Sequence, residues 1–262
     1  MTNCGDGVTH DRTLSELAVA KNAGAAPNPY AWVGSQHNAA LDFMLGEVAR
    51  HREFEKMPDA AVLNFVESRT RRFLASHGVN PNPRSLRDGL ASVPRPGGNT
   101  WSTQDFVSSG ELSIAAARYL DQIQMWVEDP VISLPDLYAR IHALEGEAQE
   151  QLSPAEAELV LSVAAVASSS TTYWVENGEI WAEQWQPIEQ LDRRVRTFVG
   201  EDGGASTMGR INWRRVAGHD VIGAVSGGVA AAVTGAGIAA GAAGGAACAS
   251  TISALGQLVL GW

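Results

Sequence analysis

Residues 221–262 read VIGAVSGGVAAAVTGAGIAAGAAGGAACASTISALGQLVLGW, a run without a single Asp, Glu, Lys, Arg or His. Gly223 and Gly227 are four apart, as are Gly237, Gly241 and Gly245. On a helix, residues four apart share a face, and a stripe of glycines lets two backbones approach until their Cα–H groups touch. Each interior glycine costs a helix in water about 0.8–1.0 kcal/mol relative to alanine, so the stripe has to be offset by a packed partner or a bilayer. The run is long enough for a helical hairpin with arms 221–240 and 246–260 turning at Gly241–Gly245, since roughly twenty residues span a hydrocarbon core. In that arrangement Trp262 anchors at an interface, and Arg210, Arg214 and Arg215 meet anionic headgroups just before the first arm. The competing arrangement is a helical pair buried against the rest of the chain. A low-complexity coil fits less well, because Val221, Ile222, Val225, Val229, Val233 and Ile238 keep a sparse helical spacing.

Working outward, Gly200–Ser206 reads as a flexible joint, and 200–219 as a Gly-rich, basic hinge. The body before it is punctuated for helices. Asn28-Pro29 opens a helix to about Phe54 whose apolar stripe is Val33, His37, Leu41, Met44 or Leu45, and Val48. A second runs from Asp59 to His77 and stops at Gly78, with Val62, Phe65, Val66, Phe73 and Leu74 buried. A short helix lies around 85–91 between prolines, and another spans 110–128 with Leu112, Ile114, Ala115, Tyr119, Ile123 and Trp126 packing. Ser133-Leu134-Pro135-Asp136 caps a helix ending near Leu152. Ser153-Pro154-Ala155-Glu156 is a capping box opening a helix to about Val175, ended by Asn177-Gly178. A last body helix spans about 180–199 and is interrupted at Pro187. Strand alternation is nearly absent. The expected architecture is therefore all-α: a flexible segment 1–27, a domain 28–199 of six or seven helices, the hinge 200–219 and a glycine-zipper hairpin in 220–262.

With 262 residues the chain can bury a sizeable core, and 45% apolar content is ordinary for a folded protein. The net charge of −10 argues against general nucleic-acid binding, which needs surplus Lys and Arg. Cys4 and Cys248 lie at opposite ends, which does not suggest a disulfide framework. The first twenty residues lack the basic start and apolar stretch of a secretory signal. Leu14, Val19 and Gly24-Ala25 loosely resemble a double-glycine leader, from which Asn22 departs. Thr13–Glu16 reads equally as the capping box of a short helix.

The tail resembles the glycine-zipper segments of bacterial class II and contact-dependent bacteriocins. Two body segments, Trp32–Asp42 (WVGSQHNAALD) and Ser168–Trp174 (SSSTTYW), resemble uncharacterised bacterial proteins that combine an HNxxLD helix with a Gly/Ala-rich C-terminus. Together the likenesses cover about a third of the chain. They imply a bacterial, membrane-associated protein exported, if at all, by a non-Sec route. Its expected partners are a lipid bilayer, further copies of itself, and an immunity or export partner of unknown kind.

No catalytic, cofactor or metal constellation stands out. His37 and Asn38 are adjacent on a helix and diverge by about 100°, and His37 falls on the apolar stripe, which suits a hydrogen-bonded core histidine. Glu47/His51 and His142/Glu145 each put two candidate ligands on one face, but no second motif completes a site, so charge pairs are expected. Ser168–Ser170 lies outside any nucleophile elbow. Tyr173, Trp174, Trp181 and Trp185 are expected to close a core.

Overall fold

A computed structural model describes residues 27–51, 57–78, 83–92, 102–185, 211–235 and 237–257. The described residues form nine helices and no strand: α1 (Ala31–Arg50), α2 (Asp59–Ser76), α3 (Pro83–Ser92), α4 (Thr103–Ser108), α5 (Ile114–Glu128), α6 (Leu134–Gln151), α7 (Pro154–Trp185), α8 (Trp213–Thr234) and α9 (Ile238–Leu255). The all-α expectation holds. The expected helix at Thr13, the double-glycine leader, and the stretch from Pro187 to residue 199 lie outside the described residues, as do Arg210 and Trp262.

Local chemistry sets most boundaries. Ser102, Ser113 and Ser133 each accept from a backbone amide of the first turn of α4, α5 and α6, which satisfies one of the orphan donors there. Ser153 donates to the Glu156 carboxylate at 2.7 Å at the start of α7. The first helix begins at Ala31, with Tyr30 and not Asn28 as its N-cap, and ends at Arg50 rather than near Phe54; two further boundaries differ from expectation. The helix expected from Gly110 begins at Ile114, because Gly110 takes φ +78° in the turn that precedes the Ser113 cap. The buried face differs too: Ile114 is 63% exposed and Ala115 exposed, while Ala116, Ala117, Leu120, Ile123 and Val127 are buried. The second difference is that α7 runs through Asn177-Gly178 to Trp185. Asn177 donates its side-chain amide to the Tyr173 carbonyl one turn back, so it sits inside the helix rather than ending it.

The C-terminal helices are antiparallel and form the middle of the molecule. α8 ends at Gly235 in the left-handed conformation, φ +72°, and α9 starts after Gly237, φ +44°. The turn is thus at 235–237, not at Gly241–Gly245, and Gly237 serves the turn rather than a packing stripe. Gly223 faces Gly245 and Ala249, and Gly227 faces Gly241 and Gly245. A Cβ at any of these four glycines would lie under 3.0 Å from an atom of the facing helix, in most cases a carbonyl oxygen. The backbones touch because no side chain separates them.

Around this pair pack α7, α3, α1, α5 and α2. Consequently 216–231 of α8 and most of α9 are buried on every side. The expected separation of a body from a detached tail does not appear, because both stretches contribute to both hydrophobic cores. One core joins Val221, Ala224, Val225, Val229, Ala239, Ala242, Ala243 and Ala246 to α5, α6 and the first half of α7. The other joins Val216, Cys248, Ile252 and Leu255 to α1, α2, Leu86, Tyr173, Trp174 and Trp181. The basic hinge is also partly helical, since α8 already begins at Trp213.

Candidate functional site

Where α1, α7, α8 and α9 meet at the base of the hairpin, the core is polar. Asp220, the last charged residue before the charge-free run, is fully buried. Ser170 and Trp174 of α7 both donate to its Oδ2, the indole from 3.1 Å. The same indole N–H lies 3.1 Å from Ser250 Oγ of α9, so one donor ties three helices. Asp220 Oδ1 makes no hydrogen bond.

Across from it, His37 of α1 is also fully buried, with Nε2 at 3.6 Å from Asp220 Oδ2 and no hydrogen bond of its own. The tautomer is set by the neighbouring amide. Asn38 donates its side-chain N–H to the Ser169 carbonyl at 3.0 Å, which turns Asn38 Oδ1 toward His37 Nδ1 at 2.9 Å. The Nδ1 proton is therefore donated to Asn38, and the Nε2 lone pair faces the carboxyl group. At this crossing Gly34 meets Ser169 and the Ala165 carbonyl so closely that a Cβ would collide. Thus the segments 32–42 and 168–174 face each other across the α1–α7 contact. On the other side of Asp220, His219 Nδ1 is 2.8 Å from Ser253 Oγ of α9.

Burial disfavours charge at all three ionisable groups. It pushes the Asp220 carboxyl up to about 7, against the hydrogen bonds from Ser170, Ser250 and Trp174 that pull it down. It draws His37 down to about 4, against the bond to Asn38. His219 also falls to about 4, from burial first and the nearby Arg215 charge second.

Chemically the junction is a fastening. Serine, histidine and aspartate are all present, but Ser170 points at the carboxylate rather than the imidazole, and every member is sealed from solvent. Ser170 thus has a proton acceptor in Asp220, but a nucleophile also needs room for a substrate, and full burial of both residues leaves none. No group of three or more potential metal ligands converges among the described residues. A shallow cleft of about 470 Å³ lined by Asp121, Gln124, Met125, Glu128, Asp129 and Pro130 is acidic. Its carboxylates are taken up locally, Asp121 by Thr103 at 2.7 Å and Glu128 by Gln124 at 3.1 Å.

The other candidates resolve as charge pairs and ties. Glu47 is bound by Arg50 at 2.6 Å and Arg69 at 3.0 Å, and His51 Nδ1 is 2.8 Å from the Glu47 carbonyl. Glu145 takes His142 at 3.3 Å and Asn28 at 2.6 Å. Among the expected headgroup contacts, Arg214 is half-buried and tied to the protein's own backbone. It donates to the carbonyls of Val127 and Ile132 and stacks on Trp213 at 4.3 Å. Arg215 is exposed. Tyr173, Trp174 and Trp181 are buried, and the Trp181 indole donates to the Tyr173 hydroxyl at 3.0 Å. Sequence reasoning passes over Asp220. Its one signal is position, a lone acid directly preceding forty-two uncharged residues. No family model, curated protein or solved structure matches this chain, so its function has to be argued from the buried hairpin and the junction that fastens it.

Proposed function

We propose that this is a bacteriocin-like membrane-active protein in a sheathed form, with a hairpin that seats in a lipid bilayer when its covering helices part. The carrying observation is how the hairpin's contacts are divided. Its internal contact is made by Gly223, Gly227, Gly241 and Gly245, backbone to backbone, and belongs to the hairpin alone. Its contacts with the sheath are made largely by Val and Ala side chains, which lipid chains can replace without loss of apolar cover. The most apolar 18-residue stretch of α8 has a mean hydropathy of 1.4 and that of α9 1.5, which by composition suits a bilayer as well as a protein core. Buried Thr251 bonds its own helix at the Ala247 carbonyl and needs no outside partner.

Length limits the depth. The uncharged part of α8, Val221–Thr234, rises about 21 Å, short of a hydrocarbon core of about 30 Å. The hairpin therefore dips into the bilayer tip first, with His219 and Asp220 left at the headgroups, and does not cross it with both arms.

The test is flotation of the full-length protein with phosphatidylcholine vesicles containing phosphatidylglycerol, with dye release and protease protection read in parallel. Expected are co-flotation, release, and a protected fragment containing 221–255. Absence of flotation between pH 4 and pH 8, or protection of a different segment, overturns the proposal. Loss of viability in bacteria expressing the chain separates a toxin from a harmless docking protein. A second reading is a structural or interaction protein whose hairpin is simply its core. It is favoured by the burial of 89% and 94% of the two apolar windows, and a stable protein that ignores vesicles supports it.

A further inference from the structure

The polar junction holds two fully buried ionisable groups that face each other, and neither Asp220 Oδ1 nor His37 Nε2 has a hydrogen-bond partner. We propose that His37 and Asp220 form a proton-counting latch that fastens the base of α8 to α1, closed when the pair holds a single proton and strained when it takes up a second. The proposal concerns the protein in solution and stands whether or not the hairpin meets a bilayer.

The reason is the cost of charge in a sealed space. With one proton on the pair, His37 is neutral and Asp220 is a neutral acid, so nothing charged is buried between α1 and α8. Removing that proton leaves an anion, which is cushioned by donors from Ser170 and Trp174. Adding a second proton leaves an imidazolium beside a neutral carboxyl, and no anion faces it. Asn38 already holds the other ring nitrogen, and α7 presents hydroxyls and an indole. The cationic state is therefore the uncompensated one.

The other charged and titratable groups on the helices against α8 are engaged elsewhere or buried neutral. On α5, Glu128 lies against Gly218 and accepts from Gln124. On α3, Arg87 is turned to Glu67 of α2 at 3.5 Å and Asp88 is half-buried. On α9, burial pushes the Cys248 thiol up to about 12. On α7, burial raises the Tyr173 phenol, whose oxygen is held by Trp181. On α8 itself, His219 shares the same aversion to charge, with exposed Arg215 one turn away.

The linkage has a definite sign. A histidine whose folded value is about 4, against an ordinary 6.5, binds protons in the unfolded chain first, so stability is lost as pH falls from 6.5 toward 4. His37 alone raises the unfolding constant roughly 100-fold by pH 4. Asp220 works in the opposite direction, because its raised value means that the folded state takes up protons first between about 7 and its ordinary 3.8. From pH 8 to pH 4 it offsets the His37 share in full, so the pair, which carries one proton through this window, is held, and the net acid loss comes from His219. The experiment is denaturant unfolding of the full-length chain from pH 8 to pH 4 without lipid, for wild type, His37→Gln, Asp220→Asn and His219→Gln. The latch predicts that His37→Gln shifts the pH 8-to-pH 4 change in the unfolding constant roughly 100-fold toward greater stability in acid and that Asp220→Asn shifts it the other way. His219→Gln removes only its own share. An unchanged acid limb in His37→Gln overturns the proposal. Should that variant fail to fold, the wild-type His37 imidazole resonance decides: still neutral at pH 5 supports the latch, already protonated at pH 5 overturns it.

Discussion

The tip half and the base half of the hairpin are packed by different means. Toward the tip, the core around Val221–Val229 and Ala239–Ala246 consists largely of Ala, Val and Leu, and the two helices are held at backbone distance by glycines. Toward the base, the core contains Phe73, Tyr173, Trp174 and Trp181, and its specificity comes from directed hydrogen bonds to Asp220, Ser250 and Tyr173. The tip is specified by what is missing from its side chains. The base is specified by what its side chains carry. A tip of that kind has one tight tolerance, interhelix distance, and is otherwise permissive. The base has a fixed angular arrangement and loses several partners when one is removed.

Substitutions can break this contrast. The largest effect is expected from Gly227→Leu, whose side chain meets the Gly241 carbonyl and the Gly245 Cα with no flexible neighbour to yield. Overpacking a close backbone contact costs about 3 kcal/mol or more, so urea unfolding should show loss of the cooperative transition or a far lower midpoint. Next comes Trp174→Phe, which keeps most of the ring volume but leaves Asp220 and Ser250 without the indole donor. A cost of roughly 2–3 kcal/mol is expected, read in the same assay. If Gly227→Leu proves milder than Trp174→Phe, the tip is not governed by interhelix distance.

Smaller changes sharpen the contrast by lying outside both halves. Ser133→Ala removes the N-cap of α6 and should cost about 1 kcal/mol at any pH, giving the scale of an ordinary helix defect. Glu145→Gln keeps an acceptor for Asn28 but removes a carboxyl whose protonation burial favours. The folded acid binds its proton more readily than the unfolded one, so its contribution fades as pH rises through its raised value. The glutamine variant should therefore match wild type at pH 4 and be more stable by at most about 1 kcal/mol at pH 8, a shift measurable in thermal midpoint.

Much of the fold is legible in the sequence because helix ends are written in local chemistry. Ser133, Ser153 and Gly78 act where their residue types say they should. α1 buries the stripe Val33, His37, Leu41, Met44 and Val48 read from its spacing. The misreadings also have local causes. Gly178 resembles a stop, yet packing of Tyr173, Trp174 and Trp181 on one face carries α7 across it. Gly241 and Gly245 resemble a turn because three glycines cluster there. Only the partner helix reveals that each glycine fills a contact position. α4 escapes a periodicity reading although Ser102 and Asp105 mark its start, because six residues show too little of a repeat. The junction cannot be assembled from the sequence, since its members come from four helices and Asp220 and His37 are 183 positions apart. The charge-free run points to the hairpin but not to what surrounds it, because lipid and an apolar core ask the same of a helix surface.

The exposed elbow between α8 and α9 has a practical use. Ala232 to Gly235 and Gly237 meet water, while their neighbours in both directions are covered. Val233 is 52% exposed and Thr234 bonds only its own helix. A fluorophore or a short epitope placed at position 234 would leave both cores untouched. It would report directly where the buried pair goes: quenched by lipid-borne nitroxides if it dips into a bilayer, unchanged if it stays home.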